Sequence, residues 1–137
     1  MKIYVTVDKE RKIEGFHVIS LEEFDQEMSK IIPNSSELIV LEDLIDFVPH
    51  NLVQKLINVV CSKLRKNGNI SITGFDLGLI TRYVLSGDIN EEQYSEIISS
   101  RSSIHNTKTI CNYLKDVNIT IENATIEGIK YEIYGKR

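Results

Sequence analysis

The sequence predicts an α/β domain, a mostly parallel sheet with helices on both faces and an antiparallel hairpin at its C-terminal end. Three observations lead there. Short β-branched runs alternate along the chain with segments of helical periodicity. One run, Glu37-Leu38-Ile39-Val40-Leu41, is nearly continuous in apolar residues, as suits a central strand covered on both faces. Residues 118–126 and 129–134 alternate on either side of Glu127-Gly128, which is the pattern of a hairpin.

The elements follow in order. Residues 2–7 alternate and read as a first strand, and Asp8-Lys9-Glu10-Arg11 as a polar turn. Gly15-Phe16-His17-Val18-Ile19 reads as a second strand, either parallel to the first or paired with it as a hairpin; the short connection leaves both open. Ser20 and Glu23 have the spacing of a capping box opening a short helix, with Leu21, Phe24 and Met28 on one face. Pro33-Asn34-Ser35-Ser36 breaks it before the central strand. Pro49 then suits the start of a helix carrying Leu52, Val53, Leu56, Ile57, Val60, Cys61 and Leu64, ended by Asn67-Gly68. A strand over 69–73, two short helices near 77–85 and 91–99, and a helix from Asn106 or Thr107 precede the hairpin.

A chain of 137 residues with 42% hydrophobic content suits one domain over 1–137. Net charge −4 speaks against a broad nucleic-acid face, which needs clustered Lys and Arg. Cys61 and Cys111 lie far apart on expected helices and read as reduced thiols. His17, His50 and His105 are scattered and form no metal-ligand spacing, so no metal is expected. The N-terminus lacks signal-peptide features and no apolar run is long enough to span a bilayer, so a cytoplasmic protein without membrane contact is expected.

Several stretches together resemble class I S-adenosylmethionine-dependent methyltransferases, in particular small predicted members of that family. Val40-Leu41-Glu42-Asp43-Leu44 followed by Ile45-Asp46-Phe47-Val48-Pro49 resembles the strand and turn that open the family's fourth-strand region. Leu64-Arg65-Lys66-Asn67-Gly68-Asn69-Ile70-Ser71-Ile72 is similar to its "LKPGGxLxI" turn into the fifth strand, with Lys66 and Asn67 replacing a proline and a glycine. Gly74-Phe75-Asp76-Leu77, the insert over 77–100 and the final hairpin follow in the family's order, while Pro33-Asn34-Ser35-Ser36-Glu37 and Gly15-Phe16-His17-Val18 resemble earlier segments. The resemblance implies a reduced Rossmann-like methyltransferase fold.

Two departures bear on the cofactor that the resemblance implies. The family's first strand leads into a glycine-rich turn, where the missing Cβ lets backbone N–H groups approach the cofactor. The matching residues are Tyr4-Val5-Thr6-Val7-Asp8, without a glycine. The family's ribose-binding acid after the second strand is replaced by Ile19-Ser20-Leu21, with Glu22 and Glu23 shifted along. If S-adenosylmethionine binds, Asp8, Glu22, Glu42 and Asp43 are the candidates to hold it, the last two because open α/β sheets bind ligands at the C-terminal ends of strands. Asp46, His50 and His105 are candidate acids or bases. The alternative for Asp46 is a cap on the helix near Pro49; for His50, simple exposure; for His105, a loop hydrogen bond. The resemblance implies that Asp76 ends the family's fifth strand and faces a pocket and that Arg82 and Tyr83 lie on the insert, while Tyr131 and Tyr134 are candidate interface aromatics.

The expectation is a methyltransferase-like protein with a degenerate S-adenosylmethionine site, non-catalytic and acting through a protein partner or a second copy of itself. The alternatives are an active methyltransferase on a small-molecule or sugar-like acceptor, and a nucleotide- or small-molecule-binding module reusing the same crevice.

Overall fold

The computed structural model describes the whole chain, Met1–Arg137. Its strands are β1 Lys2–Thr6, β2 His17–Ser20, β3 Ser36–Leu41, β4 Leu64–Phe75, β5 Thr120–Glu127 and β6 Lys130–Lys136. They form one sheet in the order β2-β1-β3-β4-β6-β5. The first four are parallel neighbours, and β6 runs antiparallel between β4 and β5. The helices are α1 Phe24–Ser29, α2 Val53–Lys63, α3 Leu77–Ser86, α4 Glu91–Ser99 and α5 Thr107–Asp116. None is long and apolar enough to cross a membrane.

Parallel pairing of β1 and β2 decides the question the sequence leaves open: Ile3 lies opposite His17 and Val5 opposite Ile19. Residues 7–16 make the crossover without a helix. This connection lies against Tyr4: the Phe16 ring meets Tyr4 edge-on at 5.8 Å, and the Arg11 guanidinium sits 5.6 Å from the Tyr4 ring.

Strand register sorts the side chains. Ile3, Val5, Ile39, Leu41, Ile70, Ile72 and Ile133 share one face and are fully buried. Phe24 and Met28 of α1, Val53, Ile57 and Val60 of α2, and Ile110 and Leu114 of α5 join the same core. Tyr4, Leu38, Val40, Ser71, Thr73, Glu132 and Tyr134 point the other way and are only half-buried or exposed. The sequence predicts helices on both faces; the three helices of the main core all pack on one. The central strand β3 is likewise covered on one face only, since Leu38 and Val40 lack the burial of Ile39 and Leu41.

Three local differences have physical causes. Ser20 makes no side-chain cap, and Leu21–Glu23 form a 3-10 turn before α1, so the expected capping box does not close. Another 3-10 turn, His50–Leu52, delays α2 to Val53. At its other end α2 stops at Lys63, and Leu64 is already extended. Asn67 takes a left-handed φ of 64° within an irregular stretch of β4. Gly68 serves close packing rather than a helix end, because a Cβ there would lie 2.9 Å from the carbonyl oxygens of Ser36 and Arg65.

α3 and α4 project from the C-terminal end of β4. Asn90 and Gln93 form a complete capping box at the start of α4, yet α4 buries no residue. Cys61 is buried and Cys111 half-buried, and both are free thiols. Burial pushes the Cys61 thiol up to about 12, despite the positive charge of Arg137.

Candidate functional site

The chain moves outward from β1 to β2 and returns across β1 to β3, so the topological switch point lies between the C-terminal ends of β1 and β3. Thr6 is buried there and Val7 is partly exposed. The turn that follows organises itself: the Asp8 N–H donates to Thr6 Oγ1 at 3.3 Å, and Asp8 Oδ1 accepts from the Glu10 N–H at 3.0 Å.

Across this mouth Arg11 Nη2 lies 3.3 Å from Glu42 Oε1, while the Glu42 N–H donates to Val5 O at 3.2 Å. Arg11, Tyr4 and Glu42 therefore form one contact that bridges the ends of β1 and β3. Burial and a hydrogen bond with Glu42 push the Tyr4 hydroxyl up to about 12. Asp43 adopts a left-handed φ of 49°; its N–H donates to Thr73 Oγ1 at 3.0 Å, and its Oδ2 accepts from Lys130 Nζ at 3.1 Å. Glu22 pairs with Lys9 on the surface. Each of the four carboxylates singled out in the sequence thus has a partner from its own chain.

A second group lies beneath residues 101–105. Asp46 is 1% exposed and does not cap α2. Its Oδ2 accepts from the Phe75 N–H at 3.1 Å and lies 3.4 Å from Arg101 Nε, an ion pair without hydrogen-bond alignment. Its Oδ1 has no partner. Burial raises the Asp46 carboxyl to about 6, only partly offset by the Phe75 N–H and Arg101. The Arg101 guanidinium stacks over Phe75 at 4.1 Å. Ser102 and Ser103 donate their N–H groups to the Asp46 carbonyl, and the Ser103 hydroxyl donates to Val48 O at 2.7 Å.

The same clamp brings His50 and His105 together. Their rings stack 4.7 Å apart with planes 2° from parallel. His105 is buried with both ring nitrogens unpartnered, and burial followed by the neighbouring His50 lowers its pKa. Parallel stacked rings cannot both aim an in-plane lone pair at one ion, and no group of three or more His, Cys, Asp or Glu side chains converges as a metal site. His50 and His105 are thus neighbours although 55 residues separate them in sequence, whereas the Asp46 carboxylate faces Phe75 and Arg101.

Asp76 has a structural role that sequence reading missed. Its Oδ1 accepts from the Leu79 N–H at 2.9 Å, and its Oδ2 accepts from the Thr107 N–H at 2.8 Å and the Thr107 hydroxyl at 2.6 Å. One carboxylate therefore caps both α3 and α5. Burial opposes ionisation, but the bonds from Thr107 and Leu79 outweigh it and hold Asp76 below the usual carboxylate range. The signal was present in the Asp76-x-x-Leu79 spacing for α3; the contact to Thr107 is long-range.

Tyr131 points into the core at 1% exposure, whereas Tyr134 lies on the opposite face. Tyr131 is thus no surface aromatic. Arg82 is exposed and Tyr83 half-buried on α3. A separate apolar cleft of about 250 Å³ opens between α1 and the start of α2, lined by Leu21, Phe24, Phe47, Pro49, Leu52 and Leu56.

Neither family models nor curated proteins match the sequence. Solved structures do match the fold. A methyltransferase dependent on S-adenosylmethionine from Archaeoglobus fulgidus aligns with 99% of this chain and 86% of its own, at 7% identity and a TM-score of 0.66. A possible histamine N-methyltransferase from Thermotoga maritima aligns with 98% and 81%, at 13% identity and 0.67. An O-methyltransferase family protein from Burkholderia thailandensis aligns with 89%, at 14% identity and 0.64. The chain spans 36% of the length of that last protein. The fold is Rossmann-like and of the class I methyltransferase type, as the resemblance implies.

Proposed function

We propose that this chain is a methyltransferase-like protein whose S-adenosylmethionine site is degenerate, and that it is non-catalytic and acts through protein interaction. The observation that carries the reading is the Arg11–Glu42 bridge across the switch point, beside a first turn that contains no glycine. A cofactor seated there needs free backbone N–H groups close to β1 and a free carboxylate for its ribose. Here Thr6 and Val7 bring branched side chains to that turn, and Asp8, Glu22, Glu42 and Asp43 are each engaged. A sheet face without a helix layer supports the interaction half of the reading.

Isothermal titration with S-adenosylmethionine and S-adenosylhomocysteine tests the site. No binding is expected, and micromolar affinity for either compound would overturn the degenerate-site reading.

A second reading is an active S-adenosylmethionine-dependent methyltransferase on a small-molecule or sugar-like acceptor. The apolar cleft at Leu21, beside the end of β2, favours it. Under that reading the cofactor at a hundred times its dissociation constant stabilises the fold by about 2.7 kcal/mol. An unshifted melting curve at millimolar cofactor removes it.

A further inference from the structure

The open sheet face is banded by charge. Register places Lys2, Leu38, Asn69 and Lys136 in one row across β1, β3, β4 and β6. The next row on that face is Tyr4, Val40, Ser71 and Tyr134, continued by Asn123 on β5. Beyond it come Thr73, Glu132 and Thr125, then Lys130 and Glu127, with Glu42 and Asp43 beside them. The face is therefore basic at one end, uncharged across the middle and mainly acidic at the other.

Some of these charges are already matched. Lys2 lies 3.9 Å from Glu37, Arg11 pairs with Glu42, and Lys130 pairs with Asp43. Lys136 and Glu132 have no ion-pair partner in the chain. They stand on the same strand on either side of the uncharged row. At the acidic end the face is hollow: a cavity of about 360 Å³ is floored by Val40, Ser71 and Thr73 and walled by Glu42, Glu127 and Glu132.

The geometry points to a second copy of this chain as the occupant of the face. A two-fold axis lying in the interface and running along the Ser71–Tyr134–Asn123 row, on the part of the face clear of residues 7–16, turns each strand antiparallel to its counterpart. Tyr134 then meets its own equivalent, and Lys136 of each copy faces Glu132 of the other, at the mouth of the acidic hollow. Such a contact is isologous and closes on itself, and face-to-face sheets pack about 10 Å apart, within reach of a lysine side chain. The alternative axis, along the strands, sets like charge against like and is disfavoured. The open part of the face, some four strands wide, measures roughly 20 Å by 20 Å. Burying it on both copies approaches the lower limit of about 1,000 Å² for specific interfaces, so the dimer is concentration-dependent.

This inference rests on the protein-interaction reading and names its partner. Sedimentation velocity from micromolar to near-millimolar chain tests it, with circular dichroism and melting curves to confirm folding of each variant. The wild type is expected to dimerise. Tyr134→Asp, Glu132→Lys and Lys136→Glu should each weaken association about tenfold or more, and the Glu132→Lys/Lys136→Glu double variant should regain it, because every Lys136–Glu132 contact is reversed together. A wild type that stays monomeric throughout overturns the proposal, as does a dimer indifferent to all four variants. Titration of S-adenosylmethionine into the same samples separates the two ideas: a monomer without cofactor affinity loses the dimer alone, whereas tight cofactor binding defeats the degenerate-site reading whatever the oligomeric state.

Discussion

Asp46 and Tyr131 approach the same side of Gly74: a Cβ built there would lie 3.0 Å from Asp46 Oδ1 and 2.6 Å from the Tyr131 hydroxyl. Both atoms are buried and without a partner. The hydrogen of Gly74 thus leaves room for two polar groups at the junction of β4, β6 and the segment after β3. Burial and the negative charges of Asp46, Asp43 and Asp76 raise the Tyr131 pKa, so the phenol stays neutral at this junction.

Gly74→Ala should therefore destabilise by about 1–3 kcal/mol, the range for an added methyl in a packed core. Urea denaturation measures it. Unchanged stability would mean that the Tyr131 ring, whose Cζ lies 2.9 Å from the same point, moves aside at no cost.

Asp46 should give the fold a distinctive pH response. Its folded pKa is about 6 against an ordinary value of 3.8. Between those values the native state holds more protons than the unfolded chain, so this group's contribution to stability falls as pH rises. The stability of wild type relative to Asp46→Asn should drop by about 2 kcal/mol from pH 4 to pH 6. Parallel denaturation series supply the difference; a difference that is flat or rises over that window rejects the assignment.

His105 acts in the opposite sense. Its folded pKa lies below the ordinary 6.5, so the unfolded chain takes up the proton first and this stabilising contribution is lost as pH falls below 6.5. His105→Phe, which keeps a ring against His50, should remove that part of the acid sensitivity. A variant whose stability falls with acid as steeply as the wild type's contradicts it.

Much of this was legible beforehand, and the failures follow a pattern. The succession of elements along the chain and the closing antiparallel hairpin followed from local periodicity, because each run is short and bounded by turn residues. The one-sided sheet was encoded in Ile70-Ser71-Ile72-Thr73, whose strict alternation gives one polar face. The Leu38-Ile39-Val40-Leu41 run concealed it, since half-buried and fully buried aliphatics look alike in sequence. Asp46 read as a candidate acid or base, or as a cap because it precedes Pro49, but its burial beside Arg101 depends on a loop 55 residues downstream. The His50–His105 stack is equally non-local. The absence of glycine after β1 was visible at once; the Arg11–Glu42 bridge was not, since charge pairs between loops leave no spacing signal.

Asp76 offers the sharpest separation of a structural carboxylate from a ligand-binding one. It is the only acceptor for the Leu79 and Thr107 N–H groups, and so holds the first turns of α3 and α5 together. Removing one cap costs about 0.5–2 kcal/mol, so Asp76→Ala should lose about twice that, with faster amide exchange at both Leu79 and Thr107. Asp76→Asn keeps an acceptor oxygen for one helix but puts an NH₂ group where the other is needed, and should fall between. Because the folded pKa of Asp76 lies below its ordinary value, its stabilising effect is present above pH 3.8 and lost as the pH falls through the folded pKa. Exchange that quickens in only one of the two helices would show that Asp76 does not join them.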